Sequence, residues 1–280
     1  MNPAYRYARF RAELPHGGLP ESFAVITACN PEGKTTPPAE NETRTREFQA
    51  QLVQRGMDHF PVTGFDPRSP HEEAGFGVLC DFETAYAMGR EWRQEAVFWI
   101  HRGEVTLIHC GPEVKREPLK RWADMADAPA NHPLFHFRGP LPLLAKPTIA
   151  FLCSTRCPAE TIAEIYEWAR HQCDTGGTVI SGFHTPVEQD VLAILSRRGA
   201  NILWAPARDL PKSLPKDLKP AFDDGRLMIL SPFDYGSVIR PTRSSCSVRN
   251  RFVLDHTASH YVPHVAEGSS LAADLEHHLL

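Results

Sequence analysis

Val179-Ile180-Ser181-Gly182-Phe183-His184-Thr185-Pro186-Val187-Glu188-Gln189-Asp190 is a β-branched run that breaks into Ser-Gly and passes at once into a helix start. Val179 and Ile180 suit a buried parallel strand, Gly182 permits a tight turn, and Pro186 with Glu188 fits the first turn of a helix. The N–H groups of such a helix start are unpaired and lie at the positive end of its dipole, so the junction can hold a phosphate. A Ser-Gly turn after a strand that binds nothing is an equal alternative.

A second junction of the same kind lies upstream. Thr148 to Cys153 is an apolar run of strand length, followed by Ser154-Thr155-Arg156-Cys157-Pro158 and a helical pattern from Ala159 to Cys173 with Ile162, Ile165, Tyr166 and Ala169 in phase. Arg156 falls in the loop at the strand's carboxyl end, where open α/β sheets place ligands. Gly176-Gly177 ends the helix. Downstream, Val187 to Arg197 reads as a helix, Ala200 to Ala205 and Arg226 to Leu230 as strands, and Val248 to His260 as a helix running into Tyr261 to Val265. Strands alternating with helices predict α/β architecture, a parallel sheet with right-handed crossovers.

Five segments stand in an order that resembles the DNA-processing (Smf-like) Rossmann family, related to the lysine-decarboxylase-like phosphoribohydrolases. They are Ile149 to Arg156, Val179 to Gly182, Gly225 to Phe233, Arg249-Asn250-Arg251-Phe252 and Glu267-Gly268-Ser269-Ser270. The resemblance covers about residues 146–280 and implies a Rossmann-like sheet with helices on both faces, whose loops line a pocket for a nucleotide or single-stranded DNA. By position it carries over Ser154, Arg156, Ser181, Gly182, Arg249, Asn250, Gly268 and Ser269. Where the family has a Gly-Gly-Ala-Arg-Gly-type loop, this chain has Ser181 to Glu188, losing an arginine and gaining an imidazole and a carboxylate. The sequence also runs only a little beyond Ser270, where the family continues into another strand, so the sheet is expected to be shortened or completed by a partner. The family often dimerises through this domain, which makes a homodimer one expected assembly.

The first half reads as a separate, smaller α+β module over 1–112, with 113–146 as a linker holding one short helix and 147–280 as the Rossmann-like domain. Strands are expected at Phe23 to Ala28, Phe60 to Phe65 and Gly75 to Leu79, helices at Glu40 to Arg55 and Phe82 to Trp92, and a hairpin of Ala96 to His101 with Glu104 to His109. Ile26 to Pro31, Glu40-Asn41, Gly64, His71-Glu72-Glu73 and Gln94 to Val97 resemble a small bacterial domain family of unknown function. Thr27, Asn30, Asn41, His71, Glu72, Glu73 and Gln94 can converge on a second pocket with Glu72 or Glu73 as a general base. The favoured reading gives Asn30 and Asn41 turn and cap roles and leaves the glutamates solvated.

With 280 residues, 42% apolar and 23% charged, the composition is that of an ordinary globular chain. No apolar run reaches membrane-spanning length, and the N-terminal residues are too charged for a secretory signal, so the cytoplasm is expected. Seven scattered cysteines without a Cys-x-x-Cys pair suggest reduced thiols, neither a disulfide framework nor a zinc site, and no metal or other cofactor is expected. His277-His278 reads as a frayed helix end or tag remnant.

A net charge of −4 does not resemble a general nucleic-acid binder. Basic residues nonetheless gather at Arg197, Arg198, Arg208, Lys212, Lys216 and Lys219 and again at Arg240, Arg243, Arg249 and Arg251, with Trp204, Phe233 or Tyr235 as stacking faces. Three functions follow, ranked on fold analogy. Binding of a nucleotide or phosphorylated nucleoside stands first and single-stranded DNA binding close behind. Third is N-glycosidic hydrolysis of a nucleotide, with Glu188 as acid/base or nucleophile, or His184 moving the proton, and Arg156 or Arg249 holding phosphate.

Overall fold

The strand Ser22–Thr27 sends Phe23 and Val25 to one face and Ala24 and Ile26 to the other, and all four are buried, so it needs cover on both sides. A computed structural model, describing residues 3–127 and 133–278, shows what provides that cover. The chain divides into two units, 1–134 and 135–280. In order, the first holds β1 (Arg9–Ala12), β2 (Gly18–Pro20), β3 (Ser22–Thr27), α1 (Pro38–Gln54), β4 (His59–Phe65), β5 (Glu72–Val78), α2 (Phe82–Glu91), β6 (Ala96–His101), β7 (Glu104–His109), β8 (Lys115–Arg121) and α3 (Trp122–Met125).

Strands β1-β4-β5-β3-β6-β7-β8 pair in that order, antiparallel throughout. Helices α1 and α2 cover one face, with Phe48, Leu52, Phe82 and Met88 clustered around Ile26 and Val78. On the other face Phe10, Trp122 and Met125 close over Phe23 and Phe98. The Trp122 ring stacks on Phe10 at 5.3 Å and meets Phe23 edge-on at 5.1 Å.

The stretch 113–146, expected as a linker, carries β8, α3 and the strand β9 (Phe135–Arg138); its residues 128–132 lie outside the described residues. Lys115-Arg116-Glu117-Pro118-Leu119-Lys120-Arg121 hides its strand because β8 lies at the edge of the sheet, where charge and proline are tolerated and discourage further pairing.

The second unit continues with β10 (Thr148–Phe151), α4 (Ala159–Asp174), β11 (Thr178–Ser181), α5 (Pro186–Arg198), β12 (Asn201–Trp204), α6 (Lys219–Asp223), β13 (Leu227–Ser231), α7 (Arg243–Asp255), β14 (Ser259–Tyr261) and α8 (Ser270–His278). Its strands run β14-β10-β11-β12-β13-β9, parallel except for β9. This is the α/β architecture that the strand-helix alternation predicts, with the Rossmann-like arrangement of helices that the family resemblance implies. Ile165 of α4, Val191 and Leu195 of α5 and Ala221 of α6 pack on Phe151, Val179, Ile202 and Leu227. The alternate residues Ala150, Ile180, Leu203 and Met228 are equally buried on the other face.

The helix expected at Val248 to His260 instead starts at Arg243 and ends at Asp255. Thr242 starts it: its hydroxyl accepts from the Ser245 N–H at 3.1 Å while the Ser245 hydroxyl accepts from the Thr242 N–H at 2.8 Å. Ser259–Tyr261 is then free to pair with Ile149–Phe151 as β14. Beyond Ser269 the chain forms α8.

Candidate functional site

The chain runs β10, β11, β12 and β13 outward in one direction and then returns to place β14 on the other side of β10. This reversal makes a topological switch point between β10 and β14, the position outside the carboxyl ends where open α/β sheets bind ligands. The loops leaving these two strands are joined: the Ser154 N–H donates to the His264 carbonyl at 3.1 Å, and the Ser154 hydroxyl accepts from the Ala266 N–H at 2.9 Å. Gly268, left-handed at φ 67°, turns this loop into α8, where the Ser269 hydroxyl accepts from the Ala272 N–H at 3.2 Å. Arg156 is exposed on the β10 loop.

Next to it, the β11 loop is organised by Glu188. One carboxylate oxygen accepts from the Cys153 N–H at 3.1 Å; the other accepts from the N–H groups of His184 at 2.7 Å and Thr185 at 3.1 Å. The Thr185 hydroxyl in turn accepts from the Glu188 N–H at 3.3 Å, closing a capping box. The carboxylate, 3% exposed, ties the β10 and β11 loops together and sits where an anion at this helix start would sit. His184 is exposed and contributes its N–H to this arrangement.

Arg249, on the buried side of α7, reaches the same edge of the sheet. Its Nη1 donates to the Ala205 carbonyl at the end of β12 at 3.2 Å, and its Nε donates to Asn250 Oδ1 at 2.9 Å. A methyl group on Gly182 would lie 1.0 Å from Arg249 Nη1, so the guanidinium occupies the space that the missing side chain leaves. Ser181 supports the turn by accepting from the Phe183 N–H at 3.2 Å, and Phe183, left-handed at φ 48°, drives its ring into the core. Burial pushes the Arg249 guanidinium below its ordinary value, against the opposing pull of the Glu188 carboxylate. Among the described residues no carboxylate forms an ion pair with it, so a buried charge is compensated at a distance only, a costly state that a bound anion would relieve.

The loops leaving the parallel strands also carry the exposed or half-exposed cations Arg156 after β10, Arg208 and Lys212 after β12, and Arg240 after β13, and the exposed Arg243 is the first residue of α7. Among the described residues none of these five has an ion-pair partner. Ser231 Oγ donates to the Arg208 carbonyl at 2.9 Å, and the Asp209 N–H donates to the Val238 carbonyl at 2.9 Å, which fixes these two loops against each other. The first turn of α7 contains no acid and adds its N-terminal dipole to the same positive region.

The eight positions marked by the motifs therefore lie at the end of β11 (Ser181), on the carboxyl-edge loops, or on α7. Sequence reasoning missed Asp274 and Ser247. Asp274, 3% exposed, accepts from Asn250 Nδ2 at 2.8 Å and from the Ser247 hydroxyl, pinning α7 to α8 behind Arg249. The signal was an acid three residues after Leu271 on the inward face of a helix.

A family described as "Protein of unknown function (DUF3293)" matches residues 26–97, within the first unit. Among curated proteins none matches the chain. Two solved structures are similar to it at 18% identity. One is DNA processing protein A of Streptococcus pneumoniae, with a TM-score of 0.44 over 54% of this chain and 53% of that one. The other is DNA processing protein A of Helicobacter pylori, described for its single-stranded DNA binding mode, with a TM-score of 0.42 over 52% of this chain and 68% of that one. The chain thus spans about half the length of the first. These are the families that the motifs of the two halves resemble.

Proposed function

We propose that the second unit binds a phosphate-bearing nucleic ligand across the carboxyl edge of its parallel sheet, and that this ligand is a single strand of DNA. The observation that carries the reading is the set of five cations that have no ion-pair partner among the described residues, Arg156, Arg208, Lys212 and Arg240 on loops from three different strands and Arg243 at the start of α7. A mononucleotide needs two or three such contacts in one place; cations spread along an edge suit a chain of phosphates. The overall acidity of the chain does not oppose this, because the positive residues share one edge.

A second reading, a mononucleotide held at the switch point, draws on one separate observation: buried Arg249 has no carboxylate in contact among the described residues and lies against Gly182. Hydrolysis through Glu188 draws no such support, since three backbone N–H groups occupy its carboxylate. The seven free thiols suit a reducing compartment, so we place the protein in the cytoplasm; no helix among the described residues is long and apolar enough to cross a membrane.

The test is the affinity for a labelled oligothymidylate as salt is raised. For five phosphate contacts the slope of log K against log salt is about −3.5, and Arg240→Ala reduces its magnitude by roughly 0.7. Absence of oligonucleotide binding at low salt, together with saturable binding of a nucleoside monophosphate, would replace the first reading by the second. Glu188→Gln tests the hydrolase: a nucleotide-hydrolysing activity abolished by this change would restore Glu188 to a chemical role.

A further inference from the structure

The residues matched by the family of unknown function build most of a cavity of about 390 Å³ in the first unit. Its floor and walls are apolar: Phe10, Val25, Val62, Phe65 and Phe98. Its polar groups come from β5, from the turn after β3 and from the entry to β6, the elements that bring Glu73, Asn30, Gln94 and Glu95 together although up to 65 residues separate them in sequence.

The hydrogen bonds already made decide what the cavity still lacks. Asn30, left-handed at φ 50°, donates from Nδ2 to Glu73 Oε1 at 2.7 Å, and His71 Nε2 lies 3.0 Å from the same oxygen. The Asn30 Oδ1 is occupied by the Thr36 N–H at 3.0 Å and Asn41 Nδ2 at 3.1 Å. Gln94 Nε2 donates to the Cys29 carbonyl at 3.0 Å, and the Tyr5 hydroxyl donates to Glu95 Oε2 at 3.2 Å. Burial, and after it the charges of Glu95 and Glu73, raise the Tyr5 hydroxyl above its ordinary range and keep it a donor. Among the described residues this leaves Glu73 Oε2, Glu95 Oε1 and Gln94 Oε1 without partners. All three are acceptors.

Charge points the same way. No Lys or Arg lines the cavity, and its third carboxylate, Asp66, is already engaged by Arg68 at 2.9 and 2.7 Å. Two carboxylates thus face an aromatic-walled space that has no Lys or Arg among its walls and whose imidazole, His71, is already engaged with Glu73 Oε1. We propose that this cavity binds a small organic ammonium ion with an apolar or aromatic body, its N–H groups donating to Glu73, Glu95 and Gln94 and its body packing on Phe65 and Phe98. The site is independent of the one on the second unit and adds a second ligand to the chain.

The probe is phenethylammonium, with phenylacetate and 2-phenylethanol as the anionic and neutral counterparts of similar shape, titrated into the full-length protein by calorimetry and ligand-observed NMR. Saturable binding of the ammonium alone is expected. Glu95→Gln weakens it by about tenfold, and Glu73→Gln/Glu95→Gln abolishes it. Ala8→Trp, which fills the cavity and keeps both carboxylates, also abolishes it; should that variant melt early, Thr35→Trp at the rim blocks entry instead. Equal binding of either counterpart, wild-type affinity in the double glutamine variant, persistence with the cavity blocked in a folded variant, or no ammonium binding at all would each overturn the proposal.

Discussion

The two sheets solve the same burial problem with opposite electrostatics. Among the described residues, the first unit's antiparallel sheet surrounds a cavity whose unpaired groups are acceptors, while the carboxyl edge of the second unit's parallel sheet carries five cations without ion-pair partners. The topology accounts for part of the difference. Parallel strands deliver all their carboxyl-end loops to one edge, so Arg156, Arg208 and Arg240 collect there although they are far apart in sequence. Antiparallel strands return at every turn and distribute their loops to both ends, so the polar residues of the first unit gather around a pocket beneath the aromatic side of the sheet.

The most severe test of this comparison is Trp122→Ala. The aromatic face depends on a ring that is 1% exposed, contributed by a segment without any strand or helix period, and its loss is expected to cost ~3–5 kcal/mol in denaturant unfolding, with faster hydrogen exchange in β3 and β6. A cost near zero would mean that this face does not require its α3 cover.

Gly182→Ala comes next, because the added methyl meets Arg249. A loss of ~1–3 kcal/mol is expected, together with weaker oligonucleotide binding, and Gly56→Ala serves as a contrast: Gly56 is left-handed, at φ 62°, which Gly182 is not, and a methyl there meets no atom within 4 Å. A loss at Gly182 no larger than the one at Gly56 would show that contact of the added methyl with Arg249 costs little.

Thr242→Ala removes the cap of α7 and is expected to cost ~1 kcal/mol, seen as fraying of Arg243 to Cys246 by hydrogen exchange with β10 to β13 unaffected. The smallest effect concerns the thiols. Burial pushes Cys80 and Cys153 up to about 12 and Cys110 to about 11, so all three stay protonated near neutrality and are expected to resist alkylation in the native protein and react once it is unfolded. Rapid native modification of Cys153 would contradict the closed packing of the β10 loop.

The regular elements were legible where one physical signal dominated. The hairpin at Ala96–His101 and Glu104–His109 follows from β-branched alternation around Arg102-Gly103, and α4 and α5 follow from apolar spacing with Pro186 at the start and glycines at the end. Elements with mixed signals were not: β8 is charged because it is an edge, and β14 is only three residues long and lies next to a helix. The candidate residues were legible as a set, but their roles were not, since Glu188 has the residue type of a catalytic acid and the contacts of a helix cap.

The sequence by itself determined the βαβ alternation of the second half and the place of Ser154 and Gly182 just after their strands, because hydrophobic period, turn residues and capping residues act over a few neighbours. Tertiary structure alone decided that Glu188 satisfies backbone donors of two loops, that Arg249 fills the space above Gly182, and that Glu73 and Glu95 share one cavity. Each of these depends on which distant groups a side chain finds once the sheets are formed, and residue spacing along the chain carries no record of that.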